Sequence, residues 1–240
     1  IHESAESFWQ DATNLAKQEK MDAILTYMYL MIKKSKATDQ SLRRETFVAL
    51  GKDIELFLGV EDWFDRITKF GDDYGVTIEH YIISSGLKEI IEGSPISKKF
   101  KEIYACEFHY DASGAADWPK QAVNYTNKTQ FLFRINKGIL DISKSSELNK
   151  YVPNDERRIP FRNMIYIGDG LTDVPCMKLV KINGGQSIAV YQKGKKNKVH
   201  ELIQDGRVDF ITLADYRAES EIDEIVKTII VKMAGTSELA

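Results

Sequence analysis

Two short stretches of this chain carry side chains suited to chemistry. The first is Gly168-Asp169-Gly170-Leu171-Thr172-Asp173, placed straight after the apolar run Ile165-Tyr166-Ile167. An apolar strand would deliver Asp169 at its tip. The flanking glycines would let the backbone turn and let a ligand approach. Asp173, four residues on, would fall in the first turn of the next helix, so both carboxylates can address one point. One or two carboxylates, completed by water and a phosphate oxygen, suit Mg2+. The competing reading is a plain Gly-Asp-Gly turn with Asp173 as a helix cap. The second stretch is Ile82-Ile83-Ser84-Ser85-Gly86. There, hydroxyls and free N–H groups at a strand-to-helix junction would form an anion site. If the anion is a phosphate, a fixed cation should offset its charge. Lys128 is the candidate, because a lysine at a helix start opposes the helix dipole. Lys137, at the other end of the same helix, is its rival.

These residues need elements to position them. One-sided apolar stripes predict a first helix through Phe8, Trp9, Ala12, Leu15 and Ala16. A second stripe runs through Met21, Ile24, Leu25, Met28, Met31 and Ile32. Thr38 and Asp39 are read as caps of a third helix running through Phe47, Leu50 and Phe57. After Gly59 the grammar changes. A short helix over 63–70 leads into alternating strands and helices. Strands are expected at 76–83, 163–167, 187–191 and 208–211, with a hairpin of 103–110 and 121–125. Helices are expected at 129–135, 172–180 and 219–233. This alternation implies an α/β, doubly wound, mostly parallel sheet with helices on both faces. In such sheets ligands bind beyond the carboxyl ends of the strands, where both polar stretches fall.

The order of Ser84-Ser85-Gly86, then Lys128, then Gly168-Asp169-Gly170-Leu171-Thr172-Asp173 resembles motifs two, three and four of the haloacid dehalogenase-like (HAD) hydrolases. The phosphoserine-phosphatase-like branch is the nearest in look. The resemblance implies a Rossmann-like core over residues 59–240 and a helical cap over 1–58. It also implies Mg2+-dependent hydrolysis of a small phosphorylated metabolite through an aspartyl-phosphate. Ser84, with the backbone of Ser85 and Gly86, would bind the phosphoryl oxygens. Lys128 would offset charge, and Asp169 and Asp173 would hold Mg2+. A flap carrying His109 and Tyr110 would lie nearby. The family's first motif, D-x-D, supplies its nucleophile and general acid, yet no aspartate here has another two positions on. The chain also begins with Ile rather than Met. Both are read as a first core strand lying upstream of residue 1. The alternative is a catalytically inactive, HAD-like phosphate-binding or regulatory module.

Composition sets outer bounds. The 240 residues are 43% hydrophobic and 29% charged, which excludes a disordered or disulfide-stapled chain. Lys and Arg number 33 against 36 Asp and Glu, a net charge of −3, which argues against a nucleic-acid partner. No apolar run reaches the roughly 20 residues of a membrane span. No secretion signal is visible, so a cytoplasmic location with reduced Cys106 and Cys176 is expected. Oligomeric state leaves no sign. His2, His80, His109 and His200 lack metal-ligand spacing. Residues 193–198, rich in lysine, are read as a solvated loop.

Overall fold

The computed structural model of the protein describes residues 4–237. His2 therefore lies outside the described residues. In chain order the helices and strands begin with α1 (Ala5–Glu19), α2 (Ala23–Ala37), α3 (Arg44–Gly51) and α4 (Val60–Asp73). Next come β1 (Tyr81–Leu87), α5 (Lys88–Gly93), β2 (Glu102–Tyr110) and β3 (Ala116–Gln121). Then follow α6 (Thr129–Lys137), α7 (Ser145–Leu148), β4 (Ile165–Gly168) and α8 (Val174–Ile182). The chain ends with β5 (Gln186–Tyr191), α9 (Asn197–Gln204), β6 (Phe210–Leu213) and α10 (Glu221–Ser237). The whole is a mixed α/β fold, as the alternation implied.

The chain divides into two units. Residues 1–54 and 81–124 form the first, and residues 55–80 and 125–240 the second. This grouping differs from a cut at 58/59. The reason is a separate sheet: β1 pairs parallel with β2, and β2 antiparallel with β3. Residues 81–124 therefore gather with the N-terminal helices.

In the first unit, α1 is opened by Ser4, whose hydroxyl accepts the Ser7 N–H, and α2 by Asp22, which accepts from Ile24 and Leu25. The expected third helix is shorter than its pattern. Thr38 closes α2 instead of opening α3, its N–H bonding back to the Lys34 and Ser35 carbonyls. At the far end α3 stops at Gly51, where it meets α5. A Cβ on Gly51 would sit 2.1 Å from the Ile90 carbonyl oxygen, and one on Gly93 would sit 1.9 Å from that of Val48. Only two glycines permit so close a crossing. The second hairpin strand also starts earlier than expected. The Asp111 carboxylate accepts the N–H groups of Ser113 and Ala115, closing a tight turn from which β3 runs at once. Pro119 is tolerated there because β3 ends its sheet.

The second unit carries the parallel sheet β4-β5-β6. Ile188 and Val190 of β5 point to one face. They pack with Trp63 and Ile67 of α4 and with Ile222, Val226, Ile229 and Ile230 of α10. Side chains alternate along a strand, so the opposite face of β4 and β5 receives α8. Residues 76–80 are not strand: Val76 donates to the Gly71 carbonyl and finishes α4. Asp223, wholly buried, takes Arg66 at 3.0 Å and Lys227 at 2.8 Å, tying α10 to α4. Between α6 and β4 the chain makes an excursion held by two cations of α6. Arg134, 2% exposed, donates to the carbonyls of Asp141 and Ile142. Lys137 donates to those of Leu148 and Lys150.

Gly51→Ala should destabilise the protein by about 2–3 kcal/mol, since the added methyl meets backbone that cannot yield. Gly235→Ala, in a helix with nothing within 4 Å, should be neutral or stabilising. Thermal melting of the two variants beside wild type checks the contrast.

Candidate functional site

The acidic strand end lies in the second unit. The strand β4 ends at Gly168, and Asp169 follows at its tip, exposed. A single 3-10 turn over Leu171–Asp173 then leads into α8, whose first turn carries Pro175. Asp173 thus sits in that turn, directly before α8 begins. Its carboxylate folds back over the strand. A Cβ on Gly168 would lie 2.7–2.8 Å from the Asp173 Cβ, Cγ and Oδ2. Glycine at 168 is the room in which this carboxylate fits.

Lys128 ends a 3-10 turn just before α6 and is buried. Its Nζ donates to Asp173 Oδ1 at 2.7 Å. The Tyr166 hydroxyl, from the middle of β4, donates to the same oxygen at 2.8 Å. Oδ2 has no protein partner among the described residues. Burial raises the Tyr166 phenol far above its ordinary range, and the Asp173 charge adds to the shift. Cys176 of α8 completes the cluster. Burial pushes its thiol up to about 12, which disqualifies it as a nucleophile at neutral pH. Lys137, the rival cation, is spent on the excursion's carbonyls. Asp169 lies within electrostatic reach of Tyr216. That phenol is pushed up to about 12, first by burial and then by the Asp169 charge.

The serine-tipped strand end lies in the first unit. Ile83 pairs with Tyr104 and Leu87 with Cys106, so Ser84, Ser85 and Gly86 bulge from the ladder. Strand geometry runs on to Leu87, and α5 starts at Lys88 rather than at Gly86. The cause is local: Ser84 Oγ accepts the Gly86 N–H at 3.0 Å. Its own proton remains available for donation. The Ser85 carbonyl accepts from the Tyr27 hydroxyl at 3.1 Å and from Cys106 Sγ at 3.4 Å. Ser85 Oγ is buried with no partner. Beneath it, Glu89 is 1% exposed; one oxygen accepts from the Phe108 N–H and the Tyr110 hydroxyl, and the other has no partner.

The structure therefore brings Lys128 and Asp173 into contact, and sets Asp169 at the end of the adjoining strand. Ser84, Ser85 and Gly86 share a bulge in the other unit. Tyr166 and Glu89 escaped the sequence reading. Tyr166 looks like an ordinary strand aromatic; its only signal was a polar tip three residues ahead of Asp169 on an otherwise aliphatic strand. His109 pairs with Asp117 at 2.8 Å on the hairpin, and His80 Nε2 with Thr68 Oγ1 at 3.0 Å.

No cluster of three or more His, Cys, Asp or Glu able to hold a metal occurs among the described residues. Mg2+ keeps most of its waters and takes one or two carboxylates from a protein. Asp173 Oδ2, partnerless, and the exposed Asp169 carboxylate are the oxygens of the right kind. No helix among the described residues is long and apolar enough to cross a membrane.

No family model matches the chain. An uncharacterized protein of Borreliella burgdorferi is 29% identical over 197 residues, covering 74% of this chain and 67% of that protein. Among solved structures, a HAD family hydrolase from Salmonella enterica serovar Typhi superposes with a TM-score of 0.53 at 15% identity. The match covers 89% of this chain and 62% of that one, so the chain spans less than two thirds of that structure's length. The likeness shows a HAD-like, Rossmann-type α/β fold.

Removing one charge of a buried pair strands the other. Lys128→Met should cost about 3–5 kcal/mol, and the double variant Lys128→Met/Asp173→Leu should recover most of that loss. Denaturant unfolding of the two single variants and the double variant reads this coupling directly.

Proposed function

We propose that this protein is a Mg2+-dependent hydrolase of a small phosphorylated metabolite, of the phosphoserine-phosphatase-like branch of HAD hydrolases. The observation that carries this reading is the buried Lys128–Asp173 pair at the carboxyl end of a parallel strand, with Asp169 at the strand's tip, in a HAD-like fold. Phosphoryl transfer is mostly positioning and charge stabilisation, and these side chains are suited to both. Asp169 and Asp173 Oδ2 would hold the metal. Once bound, Mg2+ supplies positive charge to the phosphoryl oxygens. Lys128 adds a fixed cation, its Nζ 2.7 Å from Asp173 Oδ1. Within the first unit, the Ser84 hydroxyl, with the backbone N–H of Ser85, would donate to a phosphate; the Gly86 N–H is already given to Ser84 Oγ. We assign residues 1–58 the part of a substrate-selecting cap, and the hairpin of His109 and Tyr110 that of a flap.

In this reading an aspartate of a D-x-D strand attacks phosphorus and expels the alcohol, whose oxygen takes a proton from the second aspartate. Water then hydrolyses the aspartyl-phosphate to inorganic phosphate. Neither aspartate lies within residues 1–240, so the strand that bears them must come from outside this stretch. The missing D-x-D also favours a second reading: a HAD-like module that binds phosphate and Mg2+ without turnover.

The assay is p-nitrophenyl phosphate hydrolysis by the natural full-length protein, with and without Mg2+. The expected result is Mg2+-dependent turnover that Asp169→Asn reduces to background. Saturable binding of inorganic phosphate without turnover would select the second reading. Neither turnover nor phosphate binding would overturn both.

A further inference from the structure

Asp173 is held by more than its lysine. Lys128 and Tyr166 both donate to Oδ1, at 2.7 and 2.8 Å, and they come from different elements, the turn before α6 and strand β4. The carboxylate torsion is a soft, two-fold rotation that one donor does little to fix. Two donors converging on one oxygen fix it. The Gly168 backbone closes the third side, because the Asp173 carboxyl group occupies the space a side chain there would fill. The consequence is an asymmetric carboxylate: Oδ1 saturated, Oδ2 presented without a partner. Mg2+ tolerates little departure from octahedral geometry, so an oxygen aimed in advance is worth more than one that must be recruited.

Resting on the metal-centre reading above, we infer that Tyr166 is a positioning residue, whose hydroxyl orients Asp173 so that Oδ2 faces the cation. It touches neither metal nor substrate. Its ring belongs to the core, with 8% exposure, but a phenylalanine would fill that space equally. The hydroxyl is the part that core packing does not explain. Its other neighbour is the Cys176 thiol, an indifferent partner beside a carboxylate.

The test is Mn2+ titration of the protein, followed by water-proton relaxation, on wild type, Tyr166→Phe and Cys176→Ala. Tyr166→Phe should weaken Mn2+ binding about ten- to a hundred-fold, the range seen when a group that orients a metal ligand is lost. Cys176→Ala loosens packing beside the same ring but leaves the hydroxyl on Asp173, and should bind Mn2+ within about two-fold of wild type. Equal affinity of wild type and Tyr166→Phe would overturn the positioning role and leave the metal centre standing. Equal loss in both variants would reduce Tyr166 to packing and overturn it too. Failure of wild type to bind Mn2+ would instead sink the metal-centre reading on which the inference rests. Should Tyr166→Phe not fold, wild type labelled at tyrosine Cζ decides. The Tyr166 carbon signal should shift saturably on adding Mg2+; an unmoved signal would overturn the proposal.

Discussion

A lysine and an aspartate withdrawn from water, with side chains only 5% and 9% exposed, fix the geometry of the second unit's acidic strand end. Taking two such charges out of solvent costs several kcal/mol each, and their attraction repays this only with good hydrogen bonds. Here both conditions are met on one oxygen. An apolar pair of similar volume would stabilise the fold as well or better. The arrangement is therefore best understood by what it presents, a carboxylate oxygen without a protein partner among the described residues, beside a strand tip. Much of the local sequence serves it. Gly168 clears the space, Pro175 starts α8 on the far side, and the 3-10 turn brings Asp173 back over β4.

The first unit places a different chemistry at the end of its parallel strand. Ser84, Ser85 and Gly86 leave the ladder through a bulge that a serine side chain stabilises from within. Beneath it, Ser85 Oγ and one Glu89 oxygen stay unpartnered. Buried polar groups without partners cost about 1–3 kcal/mol each, so they gather where a fold gives up stability for another end. The raised phenols of buried Tyr27 and half-buried Tyr110, both close to Glu89, belong to the same polar seam.

The sequence disclosed its motifs better than its boundaries. The apolar run before Gly168 was legible because aliphatic strand and polar tip are adjacent in sequence. Lys137 was set against Lys128 by the dipole argument; it donates to the carbonyls of Leu148 and Lys150. The end of α3 at Gly51 was not legible, since its cause is a glycine 42 positions away in α5. Residues 76–80 carry β-rich side chains, yet Ile78 packs over Gly71 and the core of the second unit, a tertiary demand that overrides propensity. The division of residues 81–124 from the rest of the α/β region was likewise hidden, because strand pairing is non-local. Tyr166 was passed over because a tyrosine in a strand needs no explanation until its hydroxyl is seen to have a partner.

The excursion between α6 and β4 has an unusual economy. Its shape is set by a guanidinium and an ammonium of α6 gripping main-chain oxygens, and every residue type supplies the same oxygen. Leu148 and Lys150 enter this grip through main-chain oxygens alone, so their letters are free to drift through evolution without loosening it, whereas Arg134 and Lys137 are not, and Ser143, Ser145 and Asn149 add side-chain hydrogen bonds of their own.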